Sequence, residues 1–469
     1  MHPILLIDFG STYTKLTAVD LEGGELLGTA AALTTVEEGL SHGLGEGLRR
    51  LFAKTSPLSF RLRLACSSAA GGLRMAAIGL VPELTVAAAR LAALGAGARI
   101  LGTFAYELGP DEVARLEEME PDIVLLAGGT DGGDEATIRA NAARLAGARL
   151  MAPIIVAGNA CAAEDVAAVL RRAGKEAIVV PNVLPERGRL EVEPAQEAIR
   201  RLFMARIVRA KGLDEVANTL DGILLPTPAA ALRAAELLAK GPGGGRPGWG
   251  ELLVVDVGGA TTDVHSLTSG APSRPEMLRL GLPEPFAKRT VEGDLGMRHG
   301  AAALAEACGL ARVAAEAGLG EAEAAAGVAA RIRDPGHLPA DPGDERLEEA
   351  LGYLAVATAV KRHAGTLEIH PTPFGHSYVL RGKDLSSVRR VIGTGGVVVR
   401  SRRPARILAG AAFDPAEPES LRPAAPRYYV DRDYILPAMG LLADLAPEVA
   451  YKLLEEGLVE VDRERGERP

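Results

Sequence analysis

The fold of this chain is decided by the stretch Ile4-Leu5-Leu6-Ile7-Asp8-Phe9-Gly10-Ser11-Thr12-Tyr13-Thr14-Lys15-Leu16. An apolar strand ends in Asp8, turns through a glycine and two hydroxyl residues, and becomes apolar again as a second strand. The glycine lets the backbone approach an anion, and the hydroxyls lie beside backbone N–H donors. Asp8 can hold a hydrated magnesium ion that faces the phosphates. An ordinary strand and turn with a capping hydroxyl would have the same sequence pattern. A second copy of the pattern in the chain is needed to distinguish a phosphate-binding hairpin from such a turn.

The composition narrows the class of protein. The chain has 469 residues, 48% hydrophobic and 24% charged, which predicts a folded, soluble protein of two or three domains. The net charge of −9 and the lack of an extended basic stripe argue against a nucleic-acid partner. Three widely separated cysteines predict a reducing, cytoplasmic setting without disulfides or structural zinc. We expect no signal peptide and no membrane partner, because no apolar run is long enough to span a bilayer.

A second copy of the opening pattern is present at Leu252-Leu253-Val254-Val255-Asp256-Val257-Gly258-Gly259-Ala260-Thr261-Thr262-Asp263-Val264. Again an apolar strand ends in an aspartate, turns through glycines and hydroxyls, and enters another strand. Two such hairpins about 250 residues apart favour a pair of phosphate-binding loops over two unrelated turns. A third glycine turn, Ile392 to Gly396, also follows an apolar strand.

The order of predicted elements gives the domain organisation. The first 66 residues predict three antiparallel strands, a helix and a fourth strand, whereas residues 81–180 alternate between helix and strand, as in a parallel sheet. Gly241 to Gly248 predicts a flexible connector or loop tip, and Pro285 to Val313 a helical stretch. The predicted segments are a first subdomain (1–80), an inserted α/β segment (81–190), a helical connection (191–250), a second subdomain (251–435, with a helical insertion near 300–364) and C-terminal helices closing on the core (436–469).

The three glycine turns, in this order, resemble those of the actin, sugar-kinase and heat-shock-protein superfamily. The resemblance implies an α/β, two-domain actin-like (ribonuclease H-like) ATPase fold with mixed sheets and an inserted α/β segment, which closes over ATP and Mg²⁺. The residues that it implies for nucleotide binding are Gly10, Ser11, Thr12, Thr14 and Lys15 from one domain, Gly258, Gly259, Ala260, Thr261 and Thr262 from the other, and Gly393, Thr394, Gly395 and Gly396 beside the adenosine.

The carboxylates of the two hairpins suggest the chemistry. Asp8 and Asp256 can hold magnesium through water on opposite sides of a triphosphate. Phosphoryl transfer needs mainly positioning and charge neutralisation, so few side chains need form covalent bonds. The residue that orients the attacking water stays open among Asp263, Glu292 and Asp294. For Lys15, a solvated strand lysine is favoured over a phosphate contact.

A larger set of motifs indicates the branch of the superfamily. These motifs are Asp8 to Lys15, Ala65 to Leu73, Leu125 to Gly133, Pro181 to Pro185, Val291 to Arg298 and Ile392 to Gly396. Together they look like the glutamate mutase L family, accessory proteins of adenosylcobalamin-dependent mutases and aminomutases. The match runs nearly end to end, although residues 319–344 carry no recognisable motif. It implies a chaperone-like ATPase that opens an inactivated mutase for cofactor exchange, with the insert as a partner-facing or specificity segment. The oligomeric state stays open, with a homodimer as one option.

Two other functions remain compatible with the same hairpins. A small-molecule kinase would need an acceptor-site carboxylate, for which Asp131 in the loop Gly128 to Gly133 is a candidate. A tight turn before a helix explains that loop equally well. A non-catalytic scaffold would bind nucleotide without turning it over.

Overall fold

The first sheet of the protein grows around the opening strand. The computed structural model describes residues 2–34, 40–68, 73–210, 220–373 and 375–462. Seven consecutive buried residues form the central strand, which pairs antiparallel with the second strand and parallel with the fourth, so the predicted antiparallel meander is confirmed. The elements are β1 (Pro3–Phe9), β2 (Tyr13–Asp20), β3 (Glu25–Leu33), α1 (Leu40–Thr55) and β4 (Leu62–Ser67).

The inserted segment forms a separate compact unit, Ala69–Ala210 with Gly281–Pro283. Its five strands are all parallel in the order β6-β5-β7-β8-β9, a doubly wound sheet with its own apolar core. The elements are β5 (Leu73–Gly79), a π-helical turn (Pro82–Val86), α2 (Ala87–Gly95), β6 (Ala98–Ala105), α3 (Pro110–Met119), β7 (Ile123–Leu126), α4 (Ala136–Gly147), β8 (Ile154–Val156), α5 (Ala160–Arg172), β9 (Ala177–Val179) and α6 (Glu193–Ala210). The sequence placed the start of the insert at residue 81, but β5 already pairs with β6 and β7.

The chain then completes the first sheet. Strand β10 (Gly222–Pro226) pairs parallel with β4 and gives the order β10-β4-β1-β2-β3. Helix α7 (Thr227–Lys240) follows it directly. The segment Gly241 to Gly248 was predicted to be a flexible connector or a loop tip, and the structure shows a loop tip. Residues 243–247 are exposed. The base of the loop is packed, because an added Cβ at Gly248 would lie 2.3 Å from the Ala239 carbonyl oxygen.

The second sheet repeats the plan of the first, in the order β14-β12-β11-β17-β18-β19. Its core lies against a group of helices between β14 and β15. The helical prediction for Pro285 to Val313 is wrong at its start, because Ala287–Glu292 pairs antiparallel with β12. The elements are β11 (Leu252–Val257), β12 (Thr262–Leu267), β13 (Met277–Leu280), β14 (Ala287–Glu292), α8 (Ala301–Cys308), α9 (Leu310–Ala317), α10 (Glu321–Arg333), α11 (Pro342–His363), β15 (Thr366–Thr372), β16 (Gly375–Arg381), β17 (Arg390–Thr394), α12 (Gly396–Arg400), α13 (Pro404–Leu408), β18 (Arg427–Asp431), α14 (Leu436–Leu442), α15 (Pro447–Gly457) and β19 (Leu458–Val461).

Two helices cross between the sheets. One apolar cluster contains residues of β1, β11, α7, α14 and α15, so both sheets pack on the same helices. At the crossing, an added Cβ at Gly440 would lie 1.8 Å from the Ala230 carbonyl oxygen, so the two backbones touch. Both sheets place three antiparallel strands beside two parallel ones around β1 or β11. The predicted actin-like fold with mixed sheets and an α/β insert is therefore confirmed.

In the ranges described above, no helix combines the length and apolarity needed to cross a membrane.

Candidate functional site

The two hairpins have the same backbone turn. The Gly10 N–H donates to the Tyr13 carbonyl (3.1 Å), and the Gly258 N–H donates to the Thr261 carbonyl (2.9 Å). A Cβ at Gly10 would lie 2.5 Å from that accepting oxygen, and one at Gly258 2.9 Å, so both turns exclude larger residues. A constant offset of 248 residues relates the two turns, with Asp8 matching Asp256.

The hairpin tips meet across the interface of the two sheets. An added Cβ at Gly259 would lie 3.0 Å from Thr12 Oγ1, which is buried and has no hydrogen-bond partner among the described residues. The Arg400 guanidinium lies 5.6 Å from the centre of the Tyr13 ring. Ser11 is exposed at the tip. The structure therefore brings both predicted phosphate-binding loops to one place.

Asp8 is buried and has three neighbours. Its carboxylate pairs with the Lys15 ammonium at 3.1 Å and accepts a hydrogen bond from the Thr227 hydroxyl at 2.6 Å. The Cys66 thiol lies 3.6 Å away. Sequence reasoning missed Thr227 and Cys66, since both come from distant strand and helix ends.

Lys15 is not the solvated lysine that the sequence favoured, so that preference was wrong. Its side chain is 21% exposed, and Nζ lies 3.7 Å from the centre of the Tyr434 ring. Burial disfavours its charge, but Tyr434 and the carboxylates of Asp8 and Asp256 raise the pKa of Lys15 above its ordinary value. The lysine is therefore a fixed cation between the two hairpins.

Asp256, which corresponds to Asp8 in the second hairpin, has one carboxylate oxygen without a matched donor among the residues that the structure describes. Its Oδ1 is buried and has no hydrogen-bond partner within the described ranges. Burial, reinforced by nearby carboxylates and opposed by Lys15, raises the pKa of Asp256 to about 7. Together with the unpartnered Thr12 hydroxyl, this oxygen fits a hydrated cation and its phosphate, because magnesium is bound by one or two carboxylates plus substrate oxygens. Over the same ranges, no group of three or more His, Cys, Asp and Glu side chains forms a closed metal site.

The three candidates for orienting water are all ion-paired. Asp263 accepts from the buried Arg289 at 2.7 Å. Glu292 and Asp294 share the Arg362 guanidinium, at 2.8 and 2.7 Å. We call the part of the protein built on the β1 sheet the first lobe, and the part built on the β11 sheet with the helices between β14 and β15 the second lobe. The ion pairs hold the three carboxylates to arginines of the second lobe.

The side chains of the remaining hairpin threonines make hydrogen bonds within the protein that stabilise the turns. Thr14 lies within 3.0 Å of the Thr34 hydroxyl, and Thr262 donates to the Leu295 carbonyl at 2.6 Å. Thr261 donates to Asp263. The backbone of Ala260 is covered closely, since an added Cβ at Gly296 would lie 2.4 Å from its carbonyl carbon and oxygen.

The third glycine turn packs against the second hairpin. Gly395 has φ +94°, and a Cβ there would lie 2.2 Å from the Val257 carbonyl oxygen. Gly393 is packed under Leu408, while Gly396 faces open space. Thr394 donates to Asp431 at 3.1 Å. Of this turn, the structure leaves only Gly396 open to a ligand.

A buried charge network supports the second hairpin and was not predicted. The Arg298 N–H donates to the Gly259 carbonyl at 2.8 Å, and its guanidinium donates to Glu348 of α11 at 2.7 Å. Arg331, which is fully buried, donates to the other oxygen of Glu348. The hairpin tip is thus tied to the helices that precede β15. The Val291 to Arg298 motif contained the one sequence signal for this link.

Fold and site together define an actin-like protein with two opposed glycine hairpins at the junction of its lobes. The chain belongs to the MutL protein family, whose model matches residues 4–458. It is 46% identical over 463 residues to "Protein MutL" of Clostridium tetanomorphum, covering 98% of this chain and all of that one. The family predicted from the motifs is confirmed.

Solved structures resemble the chain more remotely. Xylulose kinase from Lactobacillus acidophilus aligns at 9% identity over 98% of this chain and 93% of that one, with a TM-score of 0.35. The activator of the 2-hydroxyisocaproyl-CoA dehydratase from Clostridium difficile, with bound ADPNP, aligns at 10% identity over 97% and 96%, with a TM-score of 0.31. At these TM-scores the alignments carry no functional argument.

Proposed function

We propose that this chain is a cytoplasmic, magnesium-dependent ATPase that reactivates an adenosylcobalamin-dependent mutase or aminomutase. The observation that supports ATPase activity is the pair of glycine turns that are each closed by an equivalent backbone hydrogen bond and meet at Thr12 and Gly259. Two buried oxygens at this junction, Thr12 Oγ1 and Asp256 Oδ1, have no protein donor among the described residues. Polar atoms in such positions are costly unless a ligand or ion satisfies them.

The residues of the two hairpins have different roles in nucleotide binding. The backbone N–H groups of both turns and the Lys15 ammonium bind the terminal phosphates. Asp8 and Asp256 hold a hydrated magnesium ion, which supplies neutralising charge. Asp263, Glu292 and Asp294 are each paired with an arginine, so a proton acceptor among them would first have to leave its ion pair.

The mutase partner is proposed from family membership. Helices α7 and α14 start at the site and cross between the lobes, so nucleotide binding can bias the angle between the lobes. The inserted doubly wound sheet is the segment that we assign to partner recognition, because it belongs to neither lobe and has its own core.

Release of ADP from Mg-ATP by the purified chain tests the ATPase. We expect slow turnover without an acceptor, and a sharp loss of turnover in Asp8→Asn and in Asp256→Asn while both variants stay folded. Parental rates in both variants would show that the two-hairpin site is wrong. Nucleotide binding without ADP release would favour a scaffold instead.

Addition of a purified adenosylcobalamin-dependent mutase, inactivated by turnover, tests the partner. We expect faster ADP release and recovery of mutase activity when fresh adenosylcobalamin is supplied. Turnover that depends on a small metabolite instead would indicate a kinase. The kinase has less support, because Asp131 accepts from Asn182 and from the Ala160 N–H, both at 2.8 Å, and so serves its own loop.

A further inference from the structure

Tyr434 has a backbone conformation that is unusual for a residue with a side chain. Its φ is +56°, in the left-handed region, where non-glycine residues carry strain. The buried Asp431 fixes the turn, because its carboxylate accepts from the N–H groups of Ile435 and Leu436 at 2.9 and 3.0 Å. The Thr394 hydroxyl holds the same carboxylate. Strain that the surroundings enforce in this way is typical of functional sites.

The enforced turn presents the Tyr434 ring to the site. Lys15 Nζ lies 3.7 Å from the ring centre and 3.1 Å from the Asp8 carboxylate. A partly desolvated ammonium over an aromatic face is a favourable cation–π contact. The ring and the carboxylate therefore fix the position of the ammonium from two sides.

The same pair of charges is tied to both crossing helices. Thr227, the first residue of α7, donates to Asp8 at 2.6 Å. Tyr434 precedes the first residue of α14 by two positions. These helices cross in backbone contact at Gly440 and Ala230, so their starts and their crossing point form one connected structure.

We propose that Tyr434 is a positioning residue that holds the Lys15 ammonium for the terminal phosphate and couples the state of that lysine to helix α14. The proposal rests on the proposed ATPase function. When a phosphate draws the ammonium from Asp8, the cation–π contact changes at Tyr434, two residues before the start of α14. We assign this role to the aromatic face, because Lys15 Nζ lies over the ring.

Two variants separate this role from a structural one. Tyr434→Phe keeps the ring face, whereas Tyr434→Leu removes it. Tyr378→Leu is the matched control, because Tyr378 is also half-buried but lies in β16, which pairs with β13 and β15 in a separate three-stranded sheet. The assays are calorimetric binding of Mg-ATP, KM and kcat for ADP release, and nucleotide-induced fluorescence of Trp249. This is the only tryptophan of the chain; its backbone N–H donates to the Leu238 carbonyl of α7.

We expect Tyr434→Leu to raise KM roughly tenfold and to lose most of the Trp249 response at saturating Mg-ATP. Tyr434→Phe should recover both, and Tyr378→Leu should match the parent. Parental KM and fluorescence in Tyr434→Leu would overturn the proposal, as would an equal defect in Tyr434→Phe. If the parent itself binds no Mg-ATP, the proposed function fails first. If the parent binds it and Tyr434→Leu behaves identically, only this inference fails.

Discussion

Replacing Asp256 by asparagine should stabilise the protein in the absence of magnesium and nucleotide. One oxygen of the carboxylate is buried and unmatched among the described residues, and the pKa of Asp256 rises from 3.8 to about 7 on folding. Between these pH values the folded protein holds one more proton than the unfolded chain. Protonation of Asp256 therefore stabilises the folded state fully below pH 4, and this stabilisation is lost as the pH rises through 7. The difference between the two pKa values corresponds to a loss of about 4 kcal/mol in the free energy of unfolding at pH 8, as an upper estimate.

Thermal unfolding measured from pH 4 to pH 8 tests the sign. We expect the Asp256→Asn variant to match the parent near pH 4 and to unfold at a higher temperature at pH 8. The difference between variant and parent cancels the titration of the other groups. The same variant should lose magnesium-dependent hydrolysis, since active sites commonly keep groups that reduce stability.

Asp263 is the matched control on the neighbouring strand. It lies directly opposite Asp256 in the β11–β12 register, but it is paired with the buried Arg289. Asp263→Asn would leave that guanidinium without its charge partner, a loss of about 3–5 kcal/mol. The two substitutions should therefore shift the unfolding temperature in opposite directions at pH 8. A lower unfolding temperature for Asp256→Asn, or a difference that does not change with pH, would refute the reasoning.

Three further outcomes follow from close contacts and burial. Gly259→Ala should weaken Mg-ATP binding measured by calorimetry, because its Cβ would lie 3.0 Å from Thr12 Oγ1; unchanged affinity would count against the junction as the site. Gly440→Ala should prevent a stable fold, seen as loss of the cooperative unfolding transition, because its Cβ would lie 1.8 Å from the Ala230 carbonyl oxygen. Burial lowers the pKa of His265 to about 4, so stability should fall as the pH drops from 6.5 to 4. His265→Leu should remove up to about 3 kcal/mol of that loss in denaturant titrations, and an identical pH dependence would show that His265 is not buried as a neutral ring.

The parts of the fold that were predicted from sequence are those encoded locally. Both hairpins were found because a strand, a glycine turn and a second strand lie within about 13 residues of sequence. The parallel sheet of the insert was found because helix and strand periods alternate along the chain. Pro285 to Val313 misled the prediction, since its first strand is defined by pairing with β12 and not by its own composition.

The parts of the site that were missed depend on residues distant in sequence. Lys15 was assigned to solvent because isolated strand lysines are usually exposed. The ring of Tyr434, a residue near the C-terminal end of the sequence, covers the Lys15 ammonium. The carboxylates Glu292 and Asp294 looked available for water, but Arg362 engages both. Sequence identified the residue types of the site, and only the folded protein shows which of them are already neutralised.

The two lobes repeat the same hairpin but differ in the charge of residues at corresponding positions. With the offset of 248 residues, Lys15 in lobe one corresponds to Asp263 in lobe two. Lobe one thus supplies its own cation to Asp8, while lobe two places a second carboxylate beside Asp256 and directs its arginine to that second carboxylate. The shared backbone turn can bind phosphate on both sides, but the charge pattern favours an added cation on the side of Asp256. Two loops of similar backbone but different charge are suited to bind an asymmetric ligand in one orientation, namely one with a metal ion near one end of its phosphate chain.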